Sequence, residues 1–269
     1  MAIANFIPQV WSARLQENLK KALVFGSLCN RNYEGDIAQW GDTVHINTLN
    51  DITVKAYNPA IDIEDPEQLS GTDTTLSIDH GAYYNFYIND ADAAQARTDL
   101  MDAAMRNAAY RLAADTENYI LGVIRACEES KMERGMPSDE SGELYELLLE
   151  IKTRFDTQGV PRYGRKLIVP PALEAMLLMD SRFITGSAAA SERLAEGAVA
   201  RALGFDIYIS LDLNNELVAM IPDAVTFANQ ITKVEAYRPE RGFADGLKGL
   251  CLCGAKVTIP SAVCYCTLK

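Results

Sequence analysis

The chain has 269 residues, 48% of them hydrophobic, with 37 acidic against 25 basic side chains and a net charge of -12. That length supports a large core in one domain or two, and the acidic balance argues against a surface built to hold polyanions. No apolar run approaches a membrane helix and 1–10 lack a basic leader, so a soluble, unsecreted chain is expected, its six cysteines reduced thiols.

Residues 1–40 open with Asn5 and Pro8, then a helical pattern through Trp11, Leu15, Leu19, Ala22 and Leu23, followed by the turn formers of 26–35. This segment carries no core of its own and is expected to lie across its own domain or a neighbouring copy. From Gly41 the period becomes two: Val44 and Ile46 alternate with Thr43, His45 and Asn47, and Ile52 and Val54 with Thr53 and Lys55. A second run sets Leu76 and Ile78, then Tyr84, Phe86 and Ile88, against Tyr83, Asn85 and Tyr87. Between the runs, 58–73 holds Asp62, Glu64, Asp65, Glu67 and Asp73, two prolines, and no lysine or arginine. The pattern is a long two-stranded arm with an acidic tip, which needs another surface to rest on because an isolated hairpin is barely stable in water.

Residues 88–130 read as one long helix, without proline and with Gly122 as the only glycine. Asn89 or Asp90 can cap it, and Asp92 suits the positive end of its dipole. About 39 helical residues at about 1.5 Å each span about 58 Å, longer than a compact domain of this size usually needs. Met101, Met105, Ala108, Leu112, Tyr119, Val123 and Cys127 form the stripe expected to face a sheet, with Asp99, Asp102, Arg106 and Asp115 mostly off it.

The polar stretch 131–142 suits a domain junction. Leu144, Leu147, Leu148, Ile151 and Phe155 define a second amphipathic helix that ends near Gly159 and Pro161. A buried strand at 166–169 stops at Pro170-Pro171, which start a helix through Leu173, Met176, Leu177 and Met179. Residues 181–197 read as a loop. Strands at 205–211 and 217–221 complete a mixed α/β unit over about 140–222, and further strands follow at 231–237, 247–253, 256–259 and 262–268.

The sharpest chemical candidate is Cys251-Leu252-Cys253 with Cys264-Tyr265-Cys266, pairs that four-thiolate zinc binding would require on adjacent antiparallel strands. Residues i and i+2 share a strand face, whereas structural zinc sites favour wider pairs at turns, so buried packing is the favoured reading. His45 and His80 both sit at strand positions of the arm, with no nucleophile-elbow motif anywhere in the chain. The glycines of 246–249 and 186–188 lack phosphate-loop spacing. Arg14, Lys20 and Lys21, and Arg162, Arg165 and Lys166, are small basic clusters read as solvated faces, with contact to enclosed nucleic acid as the minority reading. No catalytic, cofactor-binding or metal residue is expected.

The order of elements resembles the major capsid protein of tailed bacteriophages, with the Hong Kong 97-type fold. Asn5-Phe6-Ile7-Pro8-Gln9-Val10-Trp11-Ser12-Ala13-Arg14, Gly41-Asp42-Thr43-Val44 and the stretch from Phe86 to Gln95 are similar to that group, as are Leu167-Ile168-Val169-Pro170-Pro171 and the stretch from Gly204 to Ser210. The resemblance implies an α+β fold: an N-terminal arm over 1–40, an extended E-loop hairpin over 41–87, and a spine helix with peripheral domain over 88–139. A mixed α/β axial domain over 140–222 and peripheral strands over 223–269 would follow. It further implies a structural subunit that forms pentamers and hexamers in a virion shell around double-stranded DNA, made in the host cytoplasm with a separate scaffolding protein and a portal. Trp11, Trp40 and the hairpin would make the interfaces. An E-loop lysine to asparagine cross-link, as in some relatives, has Lys55 and Asn229 as available types but no identified pair. The alternatives are an encapsulin-like bacterial compartment, and a cytosolic metal-dependent or hydrolytic enzyme using His45, His80 or the C-terminal cysteines.

Overall fold

A 27-residue helix, Leu100–Ala126, runs through two packing centres and contributes buried residues to both. The computed structural model describes residues 23–33, 40–49, 53–54, 71–89, 100–137, 142–179, 201–239 and 243–269. The expected helix at 11–23, the acidic tip and the loop at 181–197 therefore lie outside the described residues, apart from Leu23 and 71–73.

The helices are α1 (Phe25–Leu28), the long helix α2 (Leu100–Ala126), α3 (Glu143–Thr157) and α4 (Pro171–Met179). Strands β1 (Thr43–Leu49) and β2 (Gly71–Ser77) form an antiparallel hairpin in which His45 faces Thr75 and Ile46 faces Thr74. β3 (His80–Asn89), β10 (Ala244–Val257) and β9 (Val225–Tyr237) make a three-stranded antiparallel sheet in the order β3-β10-β9. A six-stranded mixed sheet runs β4-β11-β8-β5-β7-β6, built from β4 (Lys131–Arg134), β11 (Val263–Leu268), β8 (Glu216–Met220), β5 (Lys166–Val169), β7 (Phe205–Ile209) and β6 (Arg201–Ala202).

The local chemistry explains these choices. Leu144, Leu147, Leu148, Ile151 and Phe155 recur at helical spacing and all are buried on α3. Pro171 opens α4, where a missing N–H is harmless, and the Leu173 and Glu174 amides donate back to Pro170 O. Leu203 and Gly204, with φ of 51° and 92°, form the two-residue turn between β6 and β7; two positive φ values match the primed turn that tight hairpins favour.

The long helix uses its two halves differently. Met105, Ala109, Leu112 and Ala113 pack with Leu247 and Cys251 of the three-stranded sheet. Ile120, Leu121 and Ile124 enter the main core, where α3 and the six-stranded sheet contribute Phe155, Ile168, Val218 and Val263. At its C-terminal end Arg125 donates to Glu216 on β8, tying the helix to the larger sheet. Among the described residues no helix is long and apolar enough to cross a membrane.

Several sequence expectations are corrected. Ile88 and Asn89 end strand β3 rather than begin the helix, which stops at Ala126 before a short 3-10 turn over Glu128–Ser130. The expected stripe drifts off the buried face: Ala108, Tyr119, Val123 and Cys127 are only half-buried, while the adjoining rows 109-113-117-121 and 112-116-120-124 are buried. Both buried rows advance by four residues at a time, whereas the expected stripe steps by three from Met105 to Ala108 and by seven from Leu112 to Tyr119. Thr53 and Val54 are not strand, and Val54 is almost wholly exposed. Residues 131–134 of the supposed junction form a parallel edge strand on β11. The strands expected at 247–253 and 256–259 are one, running through Gly254.

Candidate assembly surfaces

The histidines of the arm are bonded to carboxylates. His45 Nδ1 lies 2.8 Å from Asp73 Oδ2 across the hairpin, with both side chains more than half exposed. His80 opens β3, and its Nε2 sits 2.6 Å from Asp115 Oδ2 of the long helix while its ring stacks on Tyr119 at 4.4 Å. Tyr119 O–H in turn donates to Asp79 Oδ1. These contacts fasten the exit of the hairpin to the helix; the bonded nitrogen of each imidazole meets a carboxylate, not a serine or cysteine nucleophile.

The cysteine pairs are not brought together. Cys251 and Cys253 lie on β10 of the three-stranded sheet, and Cys264 and Cys266 on β11 of the six-stranded one, so the adjacency a zinc site needs does not form. All four are buried. Burial pushes the thiols of Cys251 and Cys266 up to about 12 and that of Cys264 up to about 11, and raises Cys253 as well, so they stay protonated near neutrality. A protonated thiol is a poor ligand and a poor nucleophile. Among the described residues no group of three histidine, cysteine or acidic side chains is placed to hold a metal.

Of the basic clusters, Arg14, Lys20 and Lys21 lie outside the described residues, and the second dissolves into structure. Arg162 is exposed, but Arg165 is buried, donating to Asp156 Oδ1 at 2.8 Å and to the carbonyls of Val160 and Pro161. Its guanidinium also stacks over Phe155 and Phe205. The hydrogen bond from Arg165 holds the Asp156 carboxyl below its ordinary range. Lys166 bonds Asp206 and Tyr208. The solvated-face expectation therefore fails for Arg165.

One buried acid was not anticipated. Glu117 sits on the long helix at 2% exposure, and its two carboxyl oxygens accept from Phe25 N–H at 2.8 Å and Gly26 N–H at 3.1 Å. It satisfies the otherwise orphaned first amides of α1 from 92 positions away. Burial, outweighing those bonds and helped by Asp212, raises its pKa to about 7. The signal was present in the sequence: Glu117 lies four residues after Ala113 and four before Leu121, in the middle of an apolar row.

The exposed surface is where unusual chemistry remains. β3 alternates strictly, with Ala82, Tyr84 and Phe86 against the long helix and Tyr83, Asn85 and Tyr87 turned outward. Tyr83 is 79% and Tyr87 61% exposed. Across the same face Lys248 pairs with Glu235 at 2.8 Å, and Tyr237 O–H donates to Asn85. Phe243 and Trp40 are also largely exposed. Beside the hairpin root a cleft of about 400 Å³ is lined by Thr75, Ser77, Asp79, Tyr119, Cys127 and Lys256, among others, with no imidazole.

No protein-family model and no curated protein matches the sequence. Solved structures do. A chain from Mycobacterium phage Che8 matches with 28% identity and a TM-score of 0.73, covering 91% of this chain and 90% of that one. A chain from the capsid of cyanophage P-SCSP1u matches with 14% identity and a TM-score of 0.70, over 92% of this chain and 88% of that one. The chain has the Hong Kong 97-type capsid fold. The virus-like particle from Pyrococcus furiosus shares it, at 13% identity and a TM-score of 0.61 over 97% of this chain and 98% of that one. As an α+β capsid fold, the chain carries its extended hairpin as β1–β2 and its spine helix as the long helix, and it resembles phage major capsid proteins over about nine-tenths of its length.

Proposed function

We propose that this chain is a structural, non-enzymatic subunit of a phage head, joining with copies of itself into pentamers and hexamers that close an icosahedral shell around double-stranded DNA. The likeness to the Che8 chain over nine-tenths of both chains carries this reading. The surfaces support it: a two-stranded hairpin that, among the described residues, packs on the body through its root, and a tyrosine-bearing sheet face on which Lys248 pairs with Glu235, suit protein neighbours. In this reading 1–40 is the N-terminal arm, 41–87 the E-loop, 88–139 the spine helix with part of the peripheral domain, 140–222 the axial domain and 223–269 the remaining peripheral strands. A separate scaffolding protein and a portal complete the head, and the assembled chain resides in the virion.

The test is electron microscopy of the purified, concentrated protein, made with and without a co-expressed scaffolding partner, followed by nuclease digestion of any particles. Closed particles, tubes or rings of five or six are expected, with nuclease-protected DNA in heads from infected cells. Particles holding protein cargo and no DNA would instead identify a compartment shell. Monomers under every condition would remove the shell reading.

A further inference from the structure

The root of the β1–β2 hairpin leaves little freedom to tilt. Ser77 and Ile78, where β2 gives way to β3, cross directly over Gly254 of β10. A Cβ on Gly254 would stand 2.3 Å from the Ser77 carbonyl oxygen and 2.8 Å from Ile78 Cδ1. The nearer neighbour is main chain, which cannot rotate away. Gly41 N–H donates to Ile78 O at 3.1 Å and Ile78 N–H to Asp42 O at 3.0 Å, carrying the hairpin ladder to its base. Ile46, Leu76 and Ile78 then close on Ala228 and Leu252 in a small buried cluster.

We infer that Gly254 is a positioning residue: its missing side chain sets the angle at which the hairpin leaves the body, and with it the curvature at which copies of the chain join. The second part rests on the shell reading; the first stands without it. Restoring an ordinary contact of 3.4 Å at Gly254 requires Ser77 to move about 1 Å. Pivoting about one strand spacing away, that movement grows to about 4 Å along the strand from Ser77 to Gly71. Neighbouring copies would meet the hairpin at a different tilt.

The experiment places spin labels on Asp73→Cys and Tyr110→Cys in a Cys127→Ser background, since the other five cysteines are buried. Pulsed electron resonance reads the hairpin-to-helix distance in the soluble subunit, and electron microscopy reads the particles. Gly254→Ala is expected to shift the mean distance by about 3 Å, since Asp73 lies four residues along the strand from Ser77, and to change particle diameter or leave open sheets. Gly122→Ala on the exposed side of the long helix is the control: nothing lies within 4 Å of its added Cβ, so neither readout should move. Should Gly254→Ala fail to fold, Ile78→Val decides, because thinning the root cluster is expected to broaden the distance distribution in a folded subunit. An unchanged distance in folded Gly254→Ala, or an unbroadened distribution in Ile78→Val, overturns the positioning role whatever the particles do. A shifted hairpin on particles identical to wild type overturns the link to curvature. Absence of particles from wild type itself overturns the shell reading and leaves the positioning role standing.

Discussion

Replacing Glu117 with glutamine and following stability against pH tests how the N-terminal segment is held. The wild-type carboxyl is raised from its ordinary 4.5 to about 7, chiefly by burial, against the two amide bonds that favour its charged form. Below about pH 4.5 the acid is neutral in both folded and unfolded chains, and the folded state keeps its full advantage. As pH rises the unfolded chain ionises first, the folded chain holds its proton until about 7, and stability falls across that window. A displacement of this size corresponds to about 3 kcal/mol between pH 4 and pH 8. Urea unfolding of the soluble subunit at several pH values should therefore show wild type losing about 3 kcal/mol relative to Glu117→Gln as pH rises, since the other titrating groups cancel in the difference. Glutamine keeps one carbonyl acceptor but sets an amide N–H against the second backbone donor, so its curve should start lower, by about 1–2 kcal/mol, at acid pH. Parallel curves, or wild type gaining on the variant as pH rises, would refute the reasoning and show that the Phe25 and Gly26 amides outweigh burial.

Three further outcomes are expected. Ile124→Asp should abolish cooperative unfolding by placing an unpaired charge in the main core, whereas Val123→Asp on the half-buried flank should cost only about 1–2 kcal/mol in urea. Deleting 56–74 should leave a folded subunit by circular dichroism and thermal unfolding but no stable shells by microscopy; unchanged assembly would show the tip dispensable. Tyr83→Ser with Tyr87→Ser should change subunit stability by under about 1 kcal/mol yet weaken particle formation in sedimentation, and undiminished particles would remove that face from the interface.

Much of the fold was readable because its periodicities are uninterrupted. Glu143–Thr157 buries all five residues its spacing picks out, and β3 alternates at every position from His80 to Asn89. The long helix was legible as an element but not in its buried face, because half-buried Tyr119 and Val123 look as apolar in sequence as buried Ile120 and Ile124. Which residue faces the core depends on what each half packs against, and those partners lie more than a hundred positions away on β10 and β11. The cysteine geometry was hidden for a different reason: segments adjacent in the chain, β10 and β11, pair with different strands and so join different sheets. Arg165 looked like part of a basic surface because nothing local announces that Asp156, Phe155 and Phe205 enclose it.

The joint between hairpin and body is built unlike either core, and that difference bears on how the subunit works. Its apolar part is five buried residues, Ile46, Leu76, Ile78, Ala228 and Leu252. Its polar part is the His80–Asp115 contact and the Asp79–Tyr119 bond, which reach the long helix at positions four apart and so on one face. Partly exposed pairs of this kind contribute about 0–1 kcal/mol each, so they orient the hairpin more than they stabilise it. The main core meanwhile binds the C-terminal half of the long helix through Ile120, Leu121 and Ile124, with Arg125 bonded to Glu216 beyond them. A load on the hairpin therefore reaches the long helix at Asp115 and Tyr119, at the junction of its two packing centres. Small apolar area, oriented polar contacts and a backbone crossing at Gly254 together make a stiff but separable arm, which is what a subunit needs if its hairpin is to be held in place by neighbours rather than by its own core.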